Sequence, residues 1–246
     1  IAISGRAGAQ RLRGQARIDS LTMQLSKATA DTHKIFLMSQ ISFEYGNRNP
    51  ELGIKFGTEA LELAKKISWQ RGIGNSLYYR GANYLYTGRY PEALEDYLGA
   101  LRYFEQWGDS NKLAGTYSNI GGVYSYQGKD DVALEYFLKA LKINRSMSPG
   151  SNFEAANLGN ISIIYFNRND YKKALEFRLQ ALNICLKSDF MDMLPNAMVG
   201  TSAIYMELMQ YPQAINYARK ALELARQTNE VGVLGNCYLN LGVTYI

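Results

Sequence analysis

The chain has 246 residues, 27 lysines and arginines against 22 acids and a net charge of +5, but Arg6, Arg11, Arg13 and Arg17 fall in residues 1–18, where there is no acid. The rest is close to neutral, which argues against a phosphate-reading groove, since nucleic-acid contact needs a basic surface. A hydrophobic fraction of 47% with 20% charged residues and five prolines excludes a disordered chain, and no apolar run approaches the roughly 18–20 residues that span a bilayer.

Residues 1–18 read as a basic tail or linker, a solvated leader. Asp19-Ser20 then offers N-cap oxygens, and Leu21 and Leu25 share a helical face, so a leading helix is expected over 19–30. Asp31 or Thr32 restarts the cap chemistry, and a first helical hairpin is expected over about 33–72, with Asn47 to Pro50 as its turn.

From there one pattern recurs. The segments 74–101 and 115–141 pair Tyr84 with Tyr124, Gly88 with Gly128, Ala93 with Ala133 and Ala100 with Ala140, each 40 residues apart. Tyr165 and Tyr205 continue the tyrosine column, and Ala174, Ala214, Ala181 and Ala221 continue the alanine columns. A fixed period marks a repeat array, in which each unit packs only on its neighbours. Hairpins are expected over 74–112, 114–152, 155–193 and 195–233. The first half of a sixth follows at 235–246, and Tyr245 in the tyrosine column implies a longer parent chain.

Each hairpin turn centres on Gly88-Arg89, Gly128-Lys129, Asn169-Asp170 or Gln210-Tyr211. Glycine or asparagine can take the left-handed conformation that ends the first helix, whereas Met209 cannot do so cheaply, so the last turn is expected to differ. Gly81, Gly121, Ser162, Ser202 and Gly242 form a column of small residues where the two helices of a hairpin must approach closely. Gly53 stands where the first repeat should carry its alanine, a degeneracy expected of a terminal repeat.

These columns resemble the tetratricopeptide repeat, with a small residue at position 8, tyrosine at 11, alanine at 20, an aromatic at 24 and alanine at 27, over about 33–246. The resemblance implies an all-α, right-handed superhelical solenoid of helical hairpins. The 40-residue period is similar to the long variant of kinesin light chains, Pins-type adaptors and bacterial signalling proteins. Residues 19–66 resemble the start of the sensory region of Bacteroidetes-type receptors. Two departures stand out. Arg80 occupies position 7, where an aliphatic is usual, and position 24 holds Tyr97 and Phe137 but then Arg178 and Ala218, with Phe177 and Tyr217 one place earlier, so the second helices of those repeats are expected to be rotated.

No catalytic constellation is visible. A single histidine, His33, excludes multi-histidine metal sites and most histidine triads, and no phosphate-loop glycine pattern follows a strand. Cys185 and Cys237 lack paired spacing and read as small buried hydrophobes. Glu92, Glu95, Asp96 and Glu135 fall on a face expected to be solvated. No cofactor and no metal are expected, and the chain is read as non-catalytic.

The resemblance directs positions 2, 5, 6, 9, 12 and 13 of each first helix into a concave groove. Asn75, Asn196 and Asn236 fall at position 2, and Asn119, Asn160 and Asn240 at position 6, interleaved with Tyr78, Tyr79, Tyr126 and Phe166. An asparagine amide both donates and accepts, so such a ladder suits the backbone of an extended peptide, or else ties neighbouring helices together. Positions 2, 5 and 6 carry no lysine or arginine from the second repeat on, so the clamp that some relatives use for two carboxylates is not carried over.

The expected function is peptide or protein binding, either as the sensory or oligomerising region of a bacterial histidine kinase or nucleotide cyclase, or as a free-standing adaptor or scaffold. The receptor reading would place it in the periplasm and the adaptor reading in the cytoplasm. Self-association through the last helix is also expected. Neither nucleic acid nor membrane is an expected contact of this segment.

Overall fold

A computed structural model describes residues 14–188, 190–228 and 231–243. Residues 1–13, which hold most of the basic tail, and Tyr245 lie outside the described residues. Among these residues there are twelve α-helices and no strand, and the chain divides into two compact units, residues 1–109 and 110–246.

The first unit holds α1 (Gln15–Lys27), α2 (Asp31–Tyr45), α3 (Pro50–Lys66), α4 (Gln70–Tyr86) and α5 (Tyr90–Trp107). The leading helix begins four residues ahead of Asp19, and Asp19 lies inside it, accepting a bond from Gln15 Nε2 at 2.8 Å. The apolar stripe explains the difference. Ile18 is as buried as Leu21, and a helix that presents both to α2 needs a further turn upstream, opened by Gly14 at φ 65°. Helices α2 and α3 form the first hairpin. Asn49 caps α3 by accepting from the Leu52 amide at 3.2 Å, ahead of Pro50. Gly53 has a local reason beyond the chain end: a side chain there would overlap the Asn83 amide, which donates to the Ser42 carbonyl at 3.0 Å and to the Tyr79 carbonyl at 2.8 Å.

The second unit holds α6 (Ser110–Tyr126), α7 (Asp130–Met147), α8 (Asn152–Asn167), α9 (Tyr171–Lys187), α10 (Leu194–Glu207), α11 (Tyr211–Thr228) and α12 (Val231–Val243). Successive pairs are hairpins. Helix α8 packs on α6 and α7, α10 on α9, and α12 on α10 and α11. Phe137, Leu158, Ile161 and Ile164 centre one apolar cluster, and Leu182, Cys185, Leu194, Met198 and Cys237 another. Both cysteines are buried and unpaired, in keeping with a packing role.

The four later turns are alike. Gly88, Gly128, Asn169 and Met209 have φ of 73°, 70°, 59° and 57°. The amide that follows each bonds back to the column tyrosine: Arg89 N to Tyr84 O and Lys129 N to Tyr124 O at 2.9 Å, Asp170 N to Tyr165 O at 2.9 Å and Gln210 N to Tyr205 O at 2.8 Å. The expectation that Met209 would change its turn is therefore corrected. Two carbonyl bonds and hairpin packing outweigh the roughly 1–2 kcal/mol that a side chain incurs in the left-handed region.

The small-residue column does what close approach requires. A methyl on Gly81 would lie 3.2 Å from Tyr97, and one on Gly121 2.8 Å from Phe137. Ser162 and Ser202 instead donate across the hairpin to the carbonyls of Ala174 and Ala214, each at 2.8 Å. The expected rotation of the later second helices is replaced by a simpler arrangement, an aromatic column of its own at position 23. Tyr45 stacks on Phe56, Tyr124 on Tyr136, Tyr165 on Phe177 and Tyr205 on Tyr217, with ring centroids 5.4–5.9 Å apart. Position 24 is a separate slot, filled by Tyr97, Phe137, Arg178 and Ala218.

Candidate functional site

In the first unit, Tyr78 and Tyr79 are half-buried and make an edge contact at 5.2 Å. Tyr78 also packs on Tyr97 and Phe104, and Tyr79 on Phe43, so this aromatic cluster supports its own helices. Asn75 is half-buried.

In the second unit, Asn119 and Asn160 are half-buried on α6 and α8, Asn196 on α10 and Asn236 on α12 are exposed, and Ile163 and Tyr126 present 44% and 70% of their surface. Phe166 contacts Tyr171 edge-on at 5.4 Å. The side chains of Asn75, Asn119, Asn160, Asn196 and Asn236 make no hydrogen bond among the described residues. Asn240 differs, donating to the Val199 carbonyl at 3.2 Å and so tying α12 to α10.

Two arginines sit inside the hairpins, and their surroundings are opposite. Arg80 on α4 grips Asp96 on α5 with both arms, Nε to Oδ2 and Nη2 to Oδ1 at 2.7 Å each, and Nη1 reaches Thr58 Oγ1 at 3.3 Å. Asp96 is only 3% exposed. Its expected place on a solvated face is corrected, because position 23 here faces the Tyr84 column and Arg80 draws the carboxylate inward. The bond to Asp96 holds the Arg80 guanidinium above its usual pKa, while burial pushes the Asp96 carboxyl up.

Arg178 on α9 has no such partner. Its guanidinium lies between α8 and α10. A methyl on Gly200 would sit 2.9 Å from Arg178 Cζ and 3.0 Å from Nε, and one on Gly159 3.3 Å from Nη1. The Nε–H is sealed from water with no acceptor; among the described residues no carboxylate acts on the group, and burial outweighs the upward pull of the Cys185 thiol and lowers its pKa to about 10.

Among the described residues, no three His, Cys, Asp or Glu side chains gather into a possible metal site, and no helix is long and apolar enough to cross a membrane. His33 is exposed, beside an open cleft lined by Gln24, Lys27 and Thr29.

Residues 72–146 match the tetratricopeptide repeat family. The chain is a helical repeat protein, and over those residues it matches the tetratricopeptide repeat. It is 28% identical over 156 residues to an uncharacterised protein, ycf37, of Guillardia theta, a match that covers 63% of this chain and 78% of that one. It is 29% identical over 123 residues to the photosystem I assembly protein Ycf3 of Rippkaea orientalis, covering 44% of this chain and 65% of Ycf3. A Rap protein crystallised with competence and sporulation factor superposes with a TM-score of 0.68 at 16% identity, over 93% of this chain and 69% of that one. At that identity the likeness shows the fold.

Tetratricopeptide numbering makes the two arginines comparable. Arg178 stands at position 24, the aromatic slot, and Gly159 and Gly200 at positions 5 and 6 of consecutive first helices. From the sequence alone Arg178 is visible only as a break in the aromatic column. The signal that could have found it is the coincidence of an arginine in the aromatic slot with glycine at both of those inward positions.

Proposed function

We propose that the second unit is a peptide-binding module that receives an extended segment of a partner protein along the inward positions of α6, α8 and α10. A tetratricopeptide array is a protein-binding scaffold, and what singles out this face is one observation. Asn119, Asn160 and Asn196 leave their amides without protein partners, next to the exposed apolar surface of Ile163. Amides aimed at peptide backbone supply affinity with little demand on sequence, and the apolar surface between them supplies side-chain preference.

The reading we favour is an adaptor or scaffold. The photosystem I assembly protein among the relatives supports it by its name, and the weakly charged inward face suits a protein segment better than a nucleic acid. The alternative, the sensory region of a larger signalling protein, rests on the likeness of residues 19–66 to receptor sensory regions. Replacing Asn119 and Asn160 together by alanine is expected to weaken an affinity-captured partner by at least about 10-fold without altering the helical circular dichroism. Unchanged affinity in that variant would remove the asparagine ladder from the site.

A further inference from the structure

We propose that Arg178 is a carboxylate-anchoring residue of the second unit, holding an acidic group of the bound peptide between α8 and α10. The inference rests on the peptide-binding reading above and adds a chemical requirement for the ligand.

A cation taken out of water needs an anion or a set of acceptors, and without them it is among the more expensive groups a fold can hold. Long basic side chains in apolar slots normally avoid this by running their stem along the surface and leaving the whole head in water. Arg178 has not done so, since Nε is sealed without an acceptor. The Nη groups, which have no protein partner either, are where the half-buried side chain still reaches solvent.

Two glycines make room for the guanidinium. Gly159 and Gly200 both lie against it at distances where an added methyl would crowd the cation. These are the inward positions that carry Ser118 and Asn119 in the preceding repeat. The head group therefore reaches the face that carries Asn160 and Asn196, whose amides are also unpartnered. A planar fork with open Nη–H groups, flanked by amide donors and with no carboxylate of the described residues acting on it, matches a carboxylate in both charge and geometry. Arg80 shows how this same fold satisfies a buried guanidinium when it supplies the carboxylate itself. The site is distinct from the basic first-helix clamp of some relatives, because the cation comes from a second helix and passes between two first helices.

The carboxylate can come from a peptide C-terminus or from an Asp or Glu side chain, and the test separates them. The probe is a synthetic library of N-acetylated heptapeptides in two forms, free-acid peptides without Asp or Glu and C-terminally amidated peptides with them. A third form, amidated and free of acids, serves as the uncharged reference. Retention by the full chain is read by affinity selection and mass spectrometry, for the wild type, Arg178→Met and Arg178→Lys.

Carboxylate-bearing peptides are expected to be retained roughly 10- to 100-fold better by the wild type than by Arg178→Met. Arg178→Lys is expected to fall between them, because a point charge replaces a fork. The uncharged reference should be retained equally by all three proteins, and whichever charged form shows the loss identifies the source. Equal retention of both charged forms by wild type and Arg178→Met, with the reference also bound, would overturn the anchoring role while leaving the peptide groove standing. No retention of any form would overturn both. Preferential capture of phosphate-bearing nucleic acid in a parallel run would likewise overturn the carboxylate assignment. An unchanged helical spectrum for Arg178→Met keeps these outcomes apart from unfolding.

Discussion

The two units solve the same problem in opposite ways. The first buries Arg80 and places a carboxylate against it, so that both arms of the guanidinium and both oxygens of Asp96 are used. The second buries Arg178 and leaves its Nε without an acceptor. Both arginines replace residues that in this repeat are normally apolar, and both stand beside glycine. What differs is where the acid is expected to come from. A charge satisfied within the fold is a structural element, whereas a charge left unsatisfied is a standing cost of the kind that proteins keep at functional or strained sites.

The comparison breaks most sharply at Asp96. Its replacement by alanine strands the Arg80 cation in the hairpin and is expected to destabilise the protein by about 3–5 kcal/mol, read as a fall in the urea midpoint with the slope preserved. The opposite sign is expected in the second unit. Arg178→Met removes a cation that has no partner and fills the slot with an apolar side chain, so stability should rise by about 1–3 kcal/mol. If Arg178→Met instead lost stability as Asp96→Ala does, the cation would have a partner within the fold and the contrast between the units would disappear.

A finer comparison uses the glycines. A methyl on Gly57 would lie 2.9 Å from Arg80 Cβ and 3.1 Å from Ser42 Oγ, against atoms that cannot move because the arginine is pinned at both ends. Gly57→Ala is expected to cost about 1–3 kcal/mol. The atoms nearest a methyl on Gly200 all belong to the head of Arg178, the end of a flexible side chain that can shift. The cost of displacement is then offset by the roughly 1 kcal/mol that alanine gains over glycine in a helix, and Gly200→Ala should be close to neutral in thermal unfolding. In the presence of a carboxylate peptide the same variant should bind more weakly, because the fork has been pushed from its place.

Much of this molecule could be read from spacing alone, because the constraints that shape it are local and repeat. The 40-residue period, the tyrosine and alanine columns and the glycine turns each express one requirement of a helical hairpin, stated several times over. Met209 was misjudged because conformational preference is a small term that two backbone bonds override. Asp96 was misplaced because a helical face seen in one dimension does not reveal Arg80, sixteen residues earlier, pointing at it across the hairpin. Phe177 and Tyr217 of the aromatic column at position 23 are visible in the sequence, but without a structure they read as displaced occupants of position 24, because Tyr136 beside Phe137 gives no sign of a separate column. Arg178 is hardest to find, since what sets it apart is an absence, that of a carboxylate acting on it among the described residues, and absences in space leave no mark in sequence.

A small gain is expected at Tyr97, which occupies in the first unit the slot that Arg178 fills in α9 of the second. Tyr97 has no exposed surface, and its hydroxyl is buried without a partner. Burial also pushes its pKa well above the ordinary phenol value, so the group stays neutral and its cost is that of an unmade hydrogen bond alone. The ring is held by Tyr78 at 6.0 Å and by close contact with Gly81, and neither contact uses the oxygen. Tyr97→Phe should therefore leave packing intact and gain up to about 1 kcal/mol, seen as a rise of a few degrees or less in the unfolding temperature. Tyr97 and Arg178, two of the four occupants of position 24, then differ in kind. The tyrosine carries a polar atom that the fold tolerates at small cost, so its removal is expected to change stability alone. The arginine carries a full charge at much greater cost, and its removal is expected to raise stability and lower binding together. A loss of stability in Tyr97→Phe would mean that the hydroxyl has a partner, and position 24 would no longer separate the two units.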